Sequence, residues 1–468
     1  MIRRSNSQSS NIDWMLVTLY LILVVMGWLT IWSATTNSVT STISNKGLMQ
    51  GVWVIISLLG ALTIMKIDSR YFFSLAFPFY WIMVFVLLLT IFLGTEINGA
   101  KSWLVIGPMR VQPAELGKLA TALAVARLMK DYRFNIKKID SLFRLSFIIG
   151  LPTLIILLQN DTGSALVYFS FLFMLYHEGL SQWVYFSVFG LLLLFITTFF
   201  ITPIVLSSTI LILTIIATSI YYRNWKIGLR YIVILYTIYG ILVWAFRFYL
   251  VDVDPANLLL YLFGASVPVL LFYSYRNRLS KLNISITVVA LSFLFFFIGD
   301  YMFENVMQIH QQKRILDLLG IESDVAGWGY NVNQSNIAIG SGGLLGKGFM
   351  EATQTKYNFV PEHSTDFIFC TVGEEFGFIG AVVVLSVFAM FIVRLMLMAY
   401  KQTDTFRRVY TLSVASVFLF HLFINVGMTI GLTPVIGIPL PFFSYGGSSL
   451  LSFTLLTFIA IRINSDNR

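Results

Sequence analysis

Asp366, in the run FVPEHSTDFIF, is the acid best placed to do chemistry, because it lies where a long polar stretch gives way to an apolar one. A carboxylate at a lipid–water boundary, close to an apolar wall, has its proton affinity raised toward the range useful to a general base. The same residue, or Thr365, can instead cap the helix that follows. Glu374 and Glu375, in GEEFGFIG, come about two turns later in apolar surroundings, so at least one of them must turn inward to polar partners. In QPAELGKLA, Glu115 and Lys118 are three apart and share a helical face. They form either an ion pair near a helix start or a paired charge facing an internal cavity that receives an anionic head group. Asp161, in QNDTGSAL, is either the N-cap of the next helix or a cavity-lining group.

Two glycine-rich runs complete the set. GSGGLLGKG, residues 340–348, is not a nucleotide loop, since Ser341 and Gly348 stand where G-x-x-x-x-G-K-[ST] needs Gly and Ser or Thr. Its glycines allow close backbone approach and clustered N–H donors, which suits either a tight turn at the membrane surface or contact with a diphosphate. The run NVGMTIGLTPVIGIPLPFFSYGGSSLL carries Pro434, Pro439 and Pro441 among five glycines, so a regular helix cannot run through it. Irregular backbone at membrane depth is tolerated where protein or a watery cavity satisfies it, which makes 431–449 a cavity wall. Ser444, Tyr445, Ser448 and Ser449 supply its hydroxyls, though Ser448 and Ser449 also suit close helix packing.

The elements that position these groups are membrane helices. Of 468 residues, 57% are hydrophobic and only 11% charged, with mean hydropathy +0.82, which excludes a soluble enzyme. About fourteen apolar segments lie between 14 and 462, giving an all-α polytopic integral membrane protein, with some segments short for a span. Trp14–Ser33 exceeds a signal-peptide core and reads as an uncleaved first span. The net charge of +9 needs no nucleic acid. With the N-terminus inside, most Lys and Arg fall on the cytoplasmic side, and both termini are cytoplasmic. Two outer loops stand out, 95–112 and 303–365, the second about 60 residues long and beginning with an amphipathic helix at 303–319. The organisation expected is a membrane core over 1–202, further helices over 203–302, the large outer loop over 303–365, and a second core part over 366–468. One cysteine, Cys370, and four scattered histidines show no metal-ligand spacing.

NGAKSWL (98–104), QPAELGKLA (112–120), QNDTGSA (159–165), QKRI (312–315), QSNIAIGSGGLLGKG (334–348), FVPEHSTDFIF (359–369), GEEFGFIG (373–380) and LPFFSYGGSS (440–449) occur in one order. Together they strongly resemble the SEDS family of shape, elongation, division and sporulation proteins, nearer its elongation branch. The resemblance covers about 14–180 and 303–462; the chain departs from the family pattern at Asn160, Thr162 and Ser364.

It implies a core of ten spans with about four extra, and a peptidoglycan glycosyltransferase of the bacterial cytoplasmic membrane with an extracytoplasmic active site. The implied substrate is lipid II, the undecaprenyl-diphosphate-linked disaccharide-pentapeptide, polymerised with inversion. It implies Asp366 as catalytic base, Trp103 as an essential outer-loop residue, and Glu115, Lys118 and Ser444 as cavity residues. The diphosphate calls for cations, and Lys101, Arg110, Lys118 and Lys347 are the ones at hand, Asp161 remaining a cavity candidate. A divalent cation is compatible with that chemistry, but no independent site for one is visible, and no other cofactor is called for. The implied partners are a class B penicillin-binding protein transpeptidase and membrane lipid. Two competing readings remain open at this point: a flippase or transporter of lipid-linked cell-wall precursor, and a non-catalytic scaffold for the transpeptidase.

Overall fold

Near-continuous runs of Leu, Ile, Val and Phe without interior charge fold as helices whose backbone groups are satisfied internally, as a lipid environment demands. The computed structural model describes residues 12–36, 45–97, 99–107, 109–199, 309–319, 321 and 329–466, with isolated positions between 237 and 307. The helices are α1 (Trp14–Thr35), α2 (Asn45–Lys66), α3 (Ser69–Ser74), α4 (Ala76–Leu93), α5 (Pro113–Met129), α6 (Ile139–Leu158), α7 (Thr162–Val167), α8 (Phe171–His177) and α9 (Gln182–Thr198). After these come α10 (Ile309–Leu318), α11 (Tyr330–Gly342), α12 (Ile368–Tyr400), α13 (Thr405–Thr429) and α14 (Gly447–Ser465). Seven of them, α1, α2, α4, α6, α12, α13 and α14, are long and apolar enough to cross a membrane. The further spans expected over 203–302 lie outside the described residues.

The chain divides into two compact units, Met1–Leu180 with Lys313–Arg468, and Ser181–Gln312. Within the second unit α9 is the main described element. In the first, one end is rich in basic residues: Arg394 pairs with Asp13, Lys130 with Asp404, Arg408 with Glu178, and Arg407 and Arg462 with the Asp404–Asp466 pair of acids. The other end carries the 95–111 and 359–369 segments and the irregular stretch 430–446.

The helical protein carries a small sheet, at 95–111. There β1 (Thr95–Ile97), β2 (Ala100–Ile106) and β3 (Met109–Val111) form an antiparallel sheet in the order β1-β2-β3, with Trp103 opposite Thr95 and Val105 opposite Arg110. Gly99 and Gly107, both at positive φ, make its two tight turns. The 303–365 stretch is also more than a loop. Its amphipathic start is the helix α10, and YNVNQSNIAIGSG forms α11, although Asn, Ser and Gly are poor helix formers. Burial overrides propensity here: Ala338 packs with Val360, Phe367 and Cys370 in one cluster, flanked by Val332 and Ile339.

The GSGGLLGKG run repairs a break in a membrane helix. At Gly377, φ 63° and ψ −161° interrupt α12, which frees carbonyls and N–H groups inside the span. The glycine run wedges into the gap. Lys347 N and Gly348 N donate to Glu374 O and Glu375 O, each at 3.0 Å, while Phe378 N and Ile379 N donate to Gly343 O and Leu344 O at 2.9 and 3.1 Å. Backbone groups that lipid cannot satisfy are thereby paired. The fit is close enough that a Cβ on Gly342 would stand 2.0 Å from Gly373 O, a backbone atom that cannot swing away. Gly342→Ala is therefore expected to destabilise the protein by about 2 kcal/mol or more. A detergent-solubilised variant with an unchanged thermal midpoint would contradict this packing.

Candidate functional site

The turn 362–367 brings Asp366 to the start of α12: Thr365 N and Phe367 N both donate to Glu362 O, at 3.1 Å each. Three successive carbonyls of this turn are then gripped from α13 and the irregular stretch after it. Ser364 O accepts from Tyr445 N at 2.9 Å, Thr365 O from the Ser444 hydroxyl at 2.6 Å, and Asp366 O from Asn425 Nδ2 at 2.8 Å. The Asp366 carboxylate, half-buried, faces Gly437, whose φ is +76°; a Cβ there would lie 3.2 Å from Oδ2. Only glycine combines that backbone conformation with that clearance.

Burial raises the Asp366 carboxyl to about 6, the Glu362 charge pushes in the same direction, and Arg314 opposes both. Arg314, on α10, donates from Nη1 to Val435 O at 2.8 Å, and its burial lowers its own proton affinity against the pull of Asp366. Lys46 approaches from the start of α2, donating to the Ser364 hydroxyl at 3.3 Å with its ammonium 5.8 Å from the centre of the Tyr445 ring. The site is thus a carboxylate poised near neutrality, beside one guanidinium and close to one ammonium.

Glu115 and Lys118 lie deep in the protein, 2% and 1% exposed. Lys118 Nζ is 2.9 and 3.0 Å from the two Glu115 oxygens and 3.0 Å from His421 Nε2. His421 Nδ1 is 2.9 Å from Pro439 O; since a carbonyl only accepts, Nδ1 carries the proton and Nε2 accepts from the ammonium. The pair therefore reaches the stretch facing Asp366 through His421. Ser444, also buried, accepts from Leu440 N at 2.8 Å while donating to Thr365 O, so its hydroxyl bridges two protein segments.

The remaining residues singled out from the sequence sit elsewhere. Asp161 caps α7, accepting from Ser164 N and its hydroxyl at 2.9 Å and from Gln112 Nε2 at 2.7 Å. Just after it, Gly163 packs on the backbone of Ile436. Trp103 is half-buried on β2, with Lys101 and Arg110 exposed on the same sheet and in no ion pair among the described residues. Lys347 pairs with Glu374 at 2.7 Å. Glu374 also accepts from Thr353 N, Gln354 N and Thr355 N and from the hydroxyls of Thr353 and Thr355, so it organises the 347–355 loop. Its neighbour Glu375 accepts from Ser33 on α1. Of the two acids, both turn inward. The N–H groups of Lys347 and Gly348 are engaged with α12, which takes from the glycine run the diphosphate cradle that its composition allowed.

Sequence reasoning passes over Arg314, His421, Asn425 and Lys46. The signal was present for His421 and Asn425, two polar groups one turn apart inside the apolar run HLFINVG, and for Arg314 inside QKRI. Among the described residues no three His, Cys, Asp or Glu side chains gather to hold a metal ion. The described groups around Asp366, one guanidinium and one nearby ammonium with Glu362 as the further carboxylate, do not fit a resident cation.

The family model described as Cell cycle protein, FTSW_RODA_SPOVE, matches residues 13–215 and 208–468. The peptidoglycan glycosyltransferase RodA of Treponema pallidum is 30% identical over 463 residues, spanning 97% of this chain and 98% of that protein. The peptidoglycan glycosyltransferase MrdB of Escherichia coli K12 is 28% identical over 94% of this chain and 90% of its own. Among solved structures, a chain from a peptidoglycan synthase complex that coordinates polymerization and crosslinking aligns with TM-score 0.61 at 22% identity, covering 97% of this chain and 98% of that one. The rod shape determining protein RodA of Thermus thermophilus aligns with TM-score 0.56 at 22% identity, covering 97% of both chains.

Proposed function

The chain belongs to the FtsW, RodA and SpoVE family of cell cycle proteins, and from that premise we propose that it polymerises lipid II during cell-wall elongation, with Asp366 as general base. It is a multi-pass membrane protein and a peptidoglycan glycosyltransferase. The single observation that carries the catalytic reading is the Asp366 carboxylate, on a turn whose carbonyls at 364, 365 and 366 are each held by a hydrogen bond, half-buried and raised to about 6.

In the reaction a sugar 4-hydroxyl oxygen forms a bond to the anomeric carbon of a second lipid-linked sugar. The bond from that carbon to the diphosphate oxygen breaks, inverting the centre. The hydroxyl proton passes to Asp366, and undecaprenyl diphosphate leaves with the bonding pair. A base near neutrality takes the proton without being protonated beforehand. Arg314 beside the carboxylate, and Lys101 and Arg110 on the exposed sheet, are the cations for the leaving diphosphate. Trp103 offers an aromatic face to a sugar. Glu115, Lys118, Ser444, Asp161 and Lys347 act by holding the walls of the site: Lys118 and Lys347 are each committed to a buried carboxylate.

Charge supports the sidedness of this reading: with the end rich in Lys and Arg on the cytoplasmic side, Asp366 lies outside. The lipid-facing apolar helices suit a membrane-embedded partner, and a class B penicillin-binding protein would supply the cross-linking that glycan strands require.

The test is polymerisation of lipid II by the purified full-length chain, alone and with that partner. Glycan strands support the reading. Translocation of lipid II across vesicles without polymer would favour transport, and neither activity with full complementation by an Asp366 variant would favour a scaffold. The pH profile adds a sharper check. Asp366 acts ionised, so kcat/KM should fall about tenfold per unit as pH drops below about 6 and level off above it. An acid limb centred near 4 would mean that a carboxylate of ordinary proton affinity is in charge.

A further inference from the structure

Asn425 lies inside α13, fully buried, and its Nδ2 is 2.8 Å from two carbonyl oxygens, Asp366 O and Ile438 O. An amide nitrogen has two hydrogens, so each carbonyl receives one. Both acceptors are backbone carbonyls, which fixes which end of the amide is nitrogen. The other end, Oδ1, is buried with no hydrogen-bond partner among the described residues. Leaving such an atom orphaned is unfavourable, so the side chain is kept here for its two donors. Only the amide side chains, Asn and the longer Gln, offer two hydrogens from one atom without a charge.

What those donors join is specific. One holds the backbone of the residue that carries the carboxylate. The other holds Ile438, next to Gly437, and Gly437 is the wall that the carboxylate faces, so close that an added Cβ would stand 3.2 Å from Oδ2. One side chain thus ties the residue that carries the carboxylate directly to the wall it faces, beside the Ser444 and Tyr445 ties to Thr365 and Ser364. One turn earlier on the same helix, His421 grips the adjacent carbonyl, Pro439 O, so the wall is anchored to α13 at two successive residues. Among the described residues, Asn425 is the side chain that hydrogen-bonds both this wall and the backbone of Asp366 itself.

We propose that Asn425 is a positioning residue for glycosyl transfer, setting the Asp366 carboxylate against the Gly437 wall at the spacing the attacking hydroxyl requires. The inference rests on the assignment of Asp366 as the base. A displacement of about 1 Å at a reacting group costs on the order of 10²-fold in rate, with little change in ground-state binding. Wall contact also contributes to the burial that raises the Asp366 carboxyl, together with Glu362; Arg314 opposes it, and Lys46 stands near at Ser364.

The experiment is steady-state lipid II polymerisation by the full-length chain carrying Asn425→Ser or Asn425→Ala, across pH 4 to 8, normalised to folded protein by size exclusion and thermal melting. Ser keeps one donor and reaches at most one of the two carbonyls, whereas Ala keeps none. The expected result is kcat down about tenfold for Ser and about 10²-fold for Ala, KM for lipid II within about threefold, and the acid limb moved to lower pH. Should Ala not fold, the Ser variant alone decides the matter. A loss lying in KM, a kcat loss with an unmoved acid limb, or an unchanged kcat would overturn the positioning role while wild type still polymerises. Absence of polymer from wild type would instead bring down the glycosyltransferase reading and this inference with it.

Discussion

Asp366→Asn lowers glycan polymerisation by about 10²–10⁴-fold, the usual worth of a general base, in a protein that remains folded. Asparagine has the same shape and leaves the backbone contacts of residue 366 with Asn425, and of its neighbours with Ser444 and Tyr445, untouched. What it lacks is a lone pair basic enough to take the hydroxyl proton. The stability side has a definite sign. A carboxyl raised to about 6 in the folded protein, against about 3.9 in an unfolded chain, binds its proton more tightly when folded. The associated stability is fully present below about pH 4 and is lost as pH rises through about 6. Above that, ionised Asp366 is a cost to the fold, and the neutral amide removes it. At pH 8 the thermal midpoint of Asp366→Asn should equal or exceed that of wild type. Polymer yield within about threefold of wild type from this variant would end the assignment of Asp366 as base.

Lys118→Met is expected to be among the most destabilising single changes in the chain. It leaves the Glu115 carboxylate buried at 2% exposure without its counter-ion and takes away the donor to His421 Nε2. Removing one partner of a buried pair costs about 3–5 kcal/mol, because the other charge is left unmatched. Replacing both partners avoids that penalty, so Lys118→Met with Glu115→Gln should recover most of the thermal midpoint. Activity should recover less, since His421, which holds Pro439, has still lost its partner. The measurement is thermal unfolding of both variants together with their polymerisation rates. A single variant as stable as wild type would show that the ion pair does not hold this part of the protein.

Much of the site was readable from local pattern. Asp366 stood out because hydropathy changes abruptly around it, and that change is a property of consecutive residues. The prolines and glycines of 431–449 announced irregular backbone for the same reason, and the structure leaves 430–446 without a regular helix. At least one of Glu374 and Glu375 had to turn inward because lipid does not accept them, and both do. Other features escaped. The sheet at 95–111 has strands of three, seven and three residues, too short for alternation to register beside long apolar runs. Helix α11 was hidden by a composition that disfavours helix, and it exists because its small residues pack against Phe367 and Cys370. The glycine run looked like a loop open to an anion until the break at Gly377 supplied other acceptors for its N–H groups.

The chain alone determined that this is a helical membrane protein and that an acid waits at the edge of a span, since hydropathy and charge act residue by residue. Beyond the Glu115–Lys118 spacing, only the tertiary structure decided which groups the cations meet. Lys118 turns to Glu115 and His421, Lys347 to Glu374, and Arg314 to Val435 beside Asp366. The Glu115–Lys118 pair is visible in its spacing of three, but the Lys118–His421 and Arg314–Val435 contacts join residues far apart in the chain, which no periodicity or spacing encodes. Packing chooses these partners, by deciding which buried polar group would otherwise be left unmatched.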